Sequence, residues 1–330
     1  MYDLLIIGSG PSGLAAALSA KQRGLYYLAL ERGAVAQTIR DYPLHKELFS
    51  TSNEVELERG ALPVTTKPTR EEVLAHYNHL VDKEHLAVRT QEEVERITRR
   101  QAGFIVKTKT SEYHSHAVLI AVGGFGRQRR LHVAGENEAR VSYRFTEAAP
   151  YASKKILVVG GGNSAAQAAL FLAQEGAHPV LSFRRESLQY VLDPETGKLV
   201  AKIKPWVIAP FKQMVSAGLI QLLPLSEIAE IRPLSAMLRR LDSGAIREIE
   251  CDHIFALIGA DPDITLLETA GAEIASDGRP LYNLETYETT VPGLYVAGHM
   301  TRELHMKNAL EVTPLIVDHI AARLLEPVGA

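Results

Sequence analysis

The sequence Gly8-Ser9-Gly10-Pro11-Ser12-Gly13 follows the apolar run Leu4-Leu5-Ile6-Ile7 and precedes an alanine-rich segment, residues 14–20. The apolar run has the composition of a buried strand, and the alanine-rich segment has that of a helix. A G-x-G-x-x-G stretch between a strand and a helix is the arrangement that binds the diphosphate of a dinucleotide. The order of these segments therefore predicts a dinucleotide-binding fold at the start of the chain.

Five of the six residues of this first glycine loop have a predicted role in cofactor binding. Gly8 permits the tight turn after the strand, Gly10 lets the backbone approach a diphosphate, and Gly13 lets the helix pack closely on the strand. Pro11 and Ser12 lie at the predicted start of the helix, where free N–H groups and a partial positive charge attract phosphate. We expect these five residues to contact the cofactor.

An acidic residue completes the first site. A second strand, predicted over residues 26–30, ends at Glu31. The carboxylate of Glu31 can accept hydrogen bonds from a ribose diol, and Arg32 beside it is also a predicted cofactor contact. A glycine-rich turn without a ligand is the alternative, and the agreement of strand, loop, helix and acid argues against it.

A second glycine loop begins after the apolar run 156–159. It reads Gly160-Gly161-Gly162-Asn163-Ser164-Ala165, with a helix predicted over 166–173 and a strand over 179–183. The pattern G-x-G-x-x-A in this context predicts a second dinucleotide fold. Its predicted cofactor contacts are Gly160, Gly162, Asn163 and Ser164.

The two folds differ where the ribose-binding acid is expected. At the distance from the glycine loop where the first fold has Glu31, the second has Phe183, followed by Arg184 and Arg185. Guanidinium groups bind a 2′-phosphate through charge-assisted hydrogen bonds, whereas an acid repels it. We therefore expect free ribose hydroxyls at the first site and NADPH at the second. A solvated pair of charges is the alternative for the two arginines.

Glycine-terminated strands predict how the two folds are joined. Buried strands are predicted over 118–122 before Gly123, over 255–259, and over 293–299 through Gly298. The first two mark where the chain leaves and re-enters the first domain. We therefore predict an α/β protein with two Rossmann-like domains, in which residues 125–260 are inserted into a discontinuous domain of residues 1–124 and 261–330.

Helix and turn signals complete the predicted organisation. Thr69 and Glu72 form a capping box that starts a helix. A last helix is predicted over 314–325, with Thr313 as its N-cap and Pro314 at its first position. The polar stretch 193–197 is predicted to be a turn or hairpin tip. The irregular stretch 41–52 is the predicted acceptor face, because long loops beside a cofactor commonly carry substrate contacts.

Composition limits the possible partners. The chain has 330 residues, a formal net charge of -3 and 46% hydrophobic residues, which supports about two domains. This charge argues against nucleic acid or an anionic membrane as the main partner. We expect a cytoplasmic protein, because no basic-then-apolar leader and no membrane-spanning apolar run are seen. Cys251 is the single cysteine, so an internal disulfide and a C-x-x-C pair are excluded. No His/Cys spacing predicts a metal site, and no catalytic side chain is identified.

Several longer motifs add a family resemblance to this pattern. They are Gly8 to Gly13, Tyr42-Pro43-x-His45 with Phe49-Ser50, Ile203-Lys204-Pro205-Trp206, Gly278-Arg279-Pro280-x-Tyr282-Asn283-x-Glu285-Thr286 and Val296-Ala297-Gly298. With them, the chain resembles the low-molecular-weight thioredoxin reductase group of flavoproteins along essentially its whole length. Within that group it is most similar to the bacillithiol disulfide reductase family.

The resemblance implies a chemistry and a set of partners. It implies FAD in the first domain, NADPH in the inserted domain, and hydride transfer from NADPH to FAD and onward to a small acceptor. That acceptor is a low-molecular-weight thiol disulfide or another small-molecule oxidant, and we also expect a homo-oligomer. Further predicted cofactor contacts are His45, Phe49, Gly123, Lys204 and His299. Gly298, where a predicted strand stops, would also let the backbone approach the first dinucleotide.

The chain departs from its relatives at three positions. The family carries a cysteine, proposed as redox-active, at the position of Ser12, and a hydroxyl cannot replace a thiolate in disulfide exchange. Serine can still donate a hydrogen bond to phosphate. Arg185 stands where relatives often carry a glycine, which should leave NADPH binding intact or strengthened. His299 stands where thioredoxin reductases have a flavin-binding aspartate, and it can still donate to the flavin.

Two other functions remain open from the sequence. One is a ferredoxin/flavodoxin–NADP reductase that passes single electrons to a small redox protein. Such enzymes lack C-x-x-C, as this chain does, but they usually add an aromatic residue after the last helix, and residues 326–330 contain none. The other is a non-catalytic nucleotide sensor, against which the two complete glycine loops and Arg184 with Arg185 argue.

Overall fold

The computed structural model describes residues 1–62, 67–137, 140–188, 190–192, 199–303 and 305–325. The strands, in chain order, are β1 (Tyr2–Ile7), β2 (Tyr27–Leu30), β3 (Val88–Arg89), β4 (Val94–Arg100), β5 (Gly103–Thr108), β6 (Glu112–Ile120), β7 (Arg127–Gln128), β8 (Val141–Ser142), β9 (Lys155–Val159), β10 (His178–Phe183), β11 (Tyr190–Leu192), β12 (Leu199–Ala201), β13 (Gln221–Pro224), β14 (Ser226–Arg232), β15 (Ser235–Arg240), β16 (Ile246–Glu250), β17 (His253–Ala256), β18 (Ala260–Asp261) and β19 (Leu294–Val296). The α-helices are α1 (Pro11–Gln22), α2 (Gln37–Arg40), α3 (Ser52–Val55), α4 (Arg70–Lys83), α5 (Asn163–Gln174), α6 (Pro205–Ser216), α7 (Thr265–Ala270) and α8 (Met306–Leu325).

The chain forms two compact units. Unit 1 comprises Met1–Arg127 and Asp261–Ala330, and unit 2 comprises Gln128–Ala260. That one unit binds FAD and the other NADPH stays a prediction.

Unit 1 is built on a seven-stranded sheet. Its order is β3-β2-β1-β6-β5-β4, and β19 also pairs with β6. Strands β1, β2, β3 and β19 pair in parallel, whereas β4, β5 and the first half of β6 are antiparallel. Side chains of β6 alternate between exposed and buried in this antiparallel half and are all buried from Ala117 to Ile120. Burial on both faces is typical of parallel strands, and β1, β6 and β19 are buried in this way along most of their parallel pairing.

The apolar run of β1 is buried on both faces of this sheet. Leu4 and Ile6 belong to a core that also contains residues of α1 and α8. Leu5 and Ile7 face a second core that contains Leu267 of α7. Because successive side chains of a strand point to opposite faces, a continuous apolar run is what a strand covered on both sides requires.

The last helix is longer than the sequence predicts. The prediction of a start at Pro314, with Thr313 as N-cap, is wrong, because α8 begins at Met306 and Pro314 lies inside it. The Thr313 hydroxyl donates to the Ala309 carbonyl one turn earlier, at 2.5 Å. Ala309 is buried and Met306 packs against the core of unit 1. Burial of this first half outweighs the hydrogen bond that proline removes from a helix.

Other predicted elements agree more closely with the structure. The capping box is confirmed, because the Thr69 N–H donates to Glu72 Oε2 at 2.7 Å and the Glu72 N–H donates to Thr69 Oγ1 at 3.3 Å. The three predicted glycine-terminated strands are placed correctly but run too far. Strand β6 ends at Ile120, β17 at Ala256 and β19 at Val296, each before its glycine.

Unit 2 contains a five-stranded parallel sheet and a three-stranded antiparallel sheet. The parallel order is β13-β10-β9-β17-β8, and the antiparallel order is β14-β15-β16. Strand β9, the second glycine loop, α5 and β10 follow one another as the sequence predicts. Strands β11 and β12 form an antiparallel pair, while the predicted turn 193–197 between them lies outside the described residues.

Candidate functional site

The first glycine loop lies at the carboxyl end of β1 and leaves space open at its centre. A β-carbon on Gly8 would lie 2.6 Å from the Ala121 carbonyl oxygen, and one on Gly13 would overlap the Gly8 carbonyl oxygen. A β-carbon on Gly10 would meet nothing within 4 Å. Packing therefore requires glycine at the two ends of the loop, whereas no protein contact requires it at Gly10. An open position of this kind at a helix start is what the close approach of a diphosphate needs.

Glu31 is buried and joins the end of β2 to this loop. Its Oε2 accepts from the Ser9 N–H at 2.8 Å and the Ser9 hydroxyl at 3.2 Å, and its Oε1 accepts from the Gly33 N–H at 2.8 Å. A carboxylate offers about four lone-pair positions, so Glu31 retains capacity for a ribose hydroxyl. The bracing of the loop by Glu31 was not predicted, because the pairing of Ser9 with Glu31 is set by the sheet and not by local sequence.

The loops that follow β1, β6 and β19 meet beside the glycine loop. Ser12 is buried in the first turn of α1, and a β-carbon on Gly298 would lie 2.5 Å from its hydroxyl oxygen. A β-carbon on Gly124 would lie 2.9 Å from that of His299. The ring of His299 lies 5.3 Å from that of the half-exposed Phe125. The structure thus brings Ser12, Gly298 and His299 together at the carboxyl edge of the parallel strands, where α/β proteins bind ligands.

The family motif 278–286 holds the turn that follows His299. Arg279 Nη1 donates to the Thr301 carbonyl at 2.8 Å, and the Arg302 N–H donates to the Tyr282 hydroxyl at 3.0 Å. The Thr301 hydroxyl in turn donates to the Gly298 carbonyl at 2.8 Å. The motif was visible in the sequence, but its positioning role was not predicted.

The segment 41–52 carries two other predicted contacts. His45 and Phe49 are exposed there, as is Arg32 after Glu31. The Lys46 ammonium lies 4.2 Å from the centre of the Tyr42 ring and 5.2 Å from that of Phe49. Burial lowers the pKa of Lys46 to about 8. Gly123, also a predicted contact, follows β6 with a φ of +78°, and a β-carbon on it would meet nothing within 4 Å.

The second glycine loop repeats the arrangement of the first in unit 2. A β-carbon on Gly160 would overlap the Leu257 carbonyl oxygen, whereas one on Gly162 would meet nothing within 4 Å. Asn163, the first residue of α5, accepts from the Lys204 N–H at 2.8 Å through Oδ1 and donates to the Lys202 carbonyl at 3.3 Å through Nδ2. The predicted contacts Asn163 and Lys204 are therefore joined, with the open position at Gly162 beside them. Ser164 is exposed in the first turn of α5.

The two arginines after β10 have different surroundings. Arg184 is exposed. Arg185 donates from Nη2 to the Gly161 carbonyl, and burial lowers the pKa of its guanidinium, which nonetheless stays charged in proteins. The sequence predicts that both arginines bind the second nucleotide, and this stays a prediction; in the structure only Arg185 contacts the glycine loop.

The single cysteine lies in unit 2 in a closed environment. Cys251 is buried, and Arg140 Nη1 donates to its sulfur at 3.4 Å and to its carbonyl at 2.9 Å. Burial raises the pKa of the thiol, and Arg140 opposes that shift only in part. Since the thiolate is the reactive form, this thiol is poorly suited to nucleophilic chemistry.

The described part of the chain offers neither a metal site nor a membrane-spanning helix. No group of three or more His, Cys, Asp or Glu side chains there is arranged to hold a metal ion. Among the helices described, none is long and apolar enough to cross a membrane.

The chain is similar to known pyridine nucleotide-dependent reductases in both sequence and structure. The family model described as pyridine nucleotide-disulphide oxidoreductase matches residues 5–298. The bacilliredoxin reductase Bdr of Bacillus subtilis (strain 168) is 33% identical over 297 residues, which are 89% of this chain and 88% of the relative. The solved bacillithiol disulfide reductase Bdr (YpdA) from Staphylococcus aureus is 29% identical, covers 98% of both chains and superposes with a TM-score of 0.89.

A more distant structure agrees in fold. Thioredoxin reductase from Lactococcus lactis is 22% identical, covers 99% of this chain and 100% of its own, and superposes with a TM-score of 0.78. The predicted fold class, an α/β protein with thioredoxin reductase-like dinucleotide-binding domains, is confirmed.

Proposed function

This chain belongs to the pyridine nucleotide-disulphide oxidoreductase family, and within it to the bacillithiol disulfide reductases, and we propose that it reduces the disulfide of a low-molecular-weight thiol with electrons from NADPH. The chain is an oxidoreductase that uses FAD and NADPH. When bound, FAD accepts a hydride from NADPH and makes its electrons available to the acceptor.

We assign FAD to unit 1. The open position at Gly10 and the α1 N-terminus would hold the diphosphate, and Glu31 would accept from the adenosine ribose. Ser12 and His299, which lie at the same edge of the sheet, would face the remainder of the cofactor. These residues fit a dinucleotide, because the loop offers space and N–H donors while the acid excludes a 2′-phosphate.

We assign NADPH to unit 2. The open position at Gly162 and the α5 N-terminus would hold its diphosphate, and Asn163 positions Lys204 beside them. The residue that directly follows β10 is not a carboxylate. The exposed Arg184 stands at that position instead and matches a 2′-phosphate in charge and hydrogen-bonding geometry.

The proposed acceptor is supported chiefly by one observation, the superposition on a bacillithiol disulfide reductase over 98% of both chains. The reaction is balanced as NADPH, a proton and one disulfide giving NADP⁺ and two thiols. Ser12 offers no thiolate, and the Cys251 thiol is buried in unit 2. The disulfide should therefore receive electrons without forming a mixed disulfide with this chain, and its proposed contact surface is the segment 41–52.

Acceptor screening under anaerobic conditions tests this proposal. The FAD-loaded protein is mixed with NADPH, and the loss of NADPH absorbance is followed with bacillithiol disulfide, ferredoxin or flavodoxin as the acceptor. We expect rapid oxidation with bacillithiol disulfide only. Oxidation supported by ferredoxin or flavodoxin but not by the disulfide would favour the electron-transfer reductase instead.

A further inference from the structure

Arg185 and Gly161 form a contact in unit 2 that the family comparison does not explain. The Arg185 guanidinium donates from Nη2 to the Gly161 carbonyl. A β-carbon built on Gly161 would lie 2.6 Å from Nη2, 3.4 Å from Cζ and 3.5 Å from Nε of the same arginine. No other group lies among the three atoms nearest to that position. The guanidinium therefore covers Gly161, the middle one of the three consecutive glycines, in the space that a side chain at position 161 would fill.

Arg184 is placed differently although it is adjacent in sequence. It follows directly on Phe183, the last residue of β10, and its side chain is exposed. The end of the second strand is where a dinucleotide fold recognises the 2′-position of the adenosine ribose. The glycine loop faces the diphosphate, which NADPH and NADH share.

We propose that Arg185 is a positioning residue for the second glycine loop and leaves the 2′-phosphate of NADPH to Arg184, the residue already assigned to it. The inference rests on the proposed function, in which unit 2 binds NADPH. Arg184 then determines the preference for NADPH over NADH. Arg185 fixes the orientation of the Gly161 peptide and so affects both nucleotides equally.

The Arg185 guanidinium should stay at the Gly161 backbone when a nucleotide binds. A planar guanidinium that lies over a backbone and donates to its carbonyl loses much of its freedom to turn towards another ligand. It still contributes positive charge to the loop that faces the diphosphate. Its effect should thus fall on the part of the nucleotide that does not distinguish NADPH from NADH.

Nucleotide affinities of matched variants test the inference. The dissociation constants of NADP⁺ and NAD⁺ are measured by calorimetry on the oxidised, FAD-loaded protein and on Arg184→Ala, Arg185→Ala and Gly161→Ala. Gly161→Ala is informative because this glycine is outside the left-handed region and a methyl group there would displace only the end of the Arg185 side chain.

The expected pattern separates the two arginines. Arg184→Ala should raise the Kd of NADP⁺ about ten- to hundredfold and leave that of NAD⁺ unchanged, as expected for loss of a charge-assisted contact. Arg185→Ala should raise both values by a common factor of about two to ten, and Gly161→Ala should do the same. The double variant Arg185→Ala with Gly161→Ala should be no weaker than either single one, because both remove one contact. Arg185→Lys should recover part of the loss for both nucleotides.

Other outcomes would overturn the inference. A loss in Arg185→Ala confined to NADP⁺ would make Arg185 a phosphate ligand, and independent, additive effects of Arg185→Ala and Gly161→Ala would show that the contact does not position the loop. Retained FAD absorbance in each variant shows that the protein is folded. Failure of the unchanged protein to bind either nucleotide would instead contradict the proposed function itself.

Discussion

Gly298 lies so close to Ser12 that a β-carbon on the glycine would stand 2.5 Å from the serine hydroxyl oxygen. The contact joins the first turn of α1 to the loop that follows β19, and both belong to the carboxyl edge of the unit 1 sheet. The sequence resemblance predicts a cysteine of the family at position 12. Ser12, which stands there in this chain, is buried in the proposed flavin site.

Gly298→Ala should weaken FAD binding, whereas an alanine at Gly24 should lower only the stability of the fold. Gly298 has a φ of +70°, and Gly24, which has a φ of +69° with nothing within 4 Å of a built β-carbon, provides a matched control. Left-handed strain alone costs about 1–2 kcal/mol per residue. Both variants should therefore unfold at a lower temperature, but only Gly298→Ala should lose FAD on dialysis. Equal FAD retention by the two variants would contradict the placement of the flavin against Gly298.

Gly10→Val should abolish FAD retention without destabilising the apoprotein. The backbone of Gly10 has a φ of -72° and its β-carbon position is open, so the protein alone tolerates a side chain there. The side chain would occupy the space of the diphosphate. FAD content and apoprotein melting temperature are the measurements. Gly162→Val, at the corresponding position of unit 2, should keep FAD and lose NADP⁺ binding. A Gly10→Val protein that retains FAD would refute the assignment of the first site.

Arg279→Met should raise the dissociation constant of FAD although Arg279 is remote in sequence from both glycine loops. The substitution removes the hydrogen bond to the Thr301 carbonyl, and Thr301 holds Gly298 through its hydroxyl. Loss of one such hydrogen bond should raise the dissociation constant of FAD about two- to tenfold. Arg302→Ala is the control, since the backbone N–H of Arg302, and not its side chain, binds Tyr282. The same FAD affinity in Arg279→Met and Arg302→Ala would exclude this positioning role.

Lys46 should make the stability of the protein depend on pH in a defined direction. Burial lowers its pKa from 10.5 to about 8, so the folded state binds fewer protons than the unfolded state between these values. Stability therefore rises as pH increases through this range. Relative to Lys46→Met, the unchanged protein should gain stability in urea unfolding between pH 7 and about pH 10.

A second lysine provides the control for this measurement. Lys109→Met should show no such change, because Glu93 raises the pKa of Lys109 and keeps it protonated throughout the range. A constant difference between the unchanged protein and Lys46→Met would mean that Lys46 is not desolvated.

The sequence predicted features set by local stereochemistry and missed those set by contacts across the fold. Both strand–loop–helix units were predicted because glycine spacing and apolar runs are local signals, and the Thr69–Glu72 capping box is equally local. Pro314 misled the prediction of α8, because burial of the preceding turns outweighs the local signal of proline. The pairing of Glu31 with Ser9 and of Arg185 with Gly161 joins residues that become neighbours only once the sheets form. The cofactor roles of the site residues and the homo-oligomer remain predictions.

The central claim, reduction of a small disulfide without a protein thiol, is tested most directly with the cysteine-free variant Cys251→Ser. Cys251 is the only cysteine in the chain and is buried, so the variant should fold and retain FAD. Under anaerobic conditions with limiting NADPH and excess bacillithiol disulfide, we expect two thiols released for each NADPH oxidised, at the rate of the unchanged protein. Iodoacetamide pretreatment of the unchanged protein, removed before the disulfide is added, should not slow this reaction. Loss of thiol release in a folded, FAD-replete Cys251→Ser protein would contradict the account and establish a thiol mechanism.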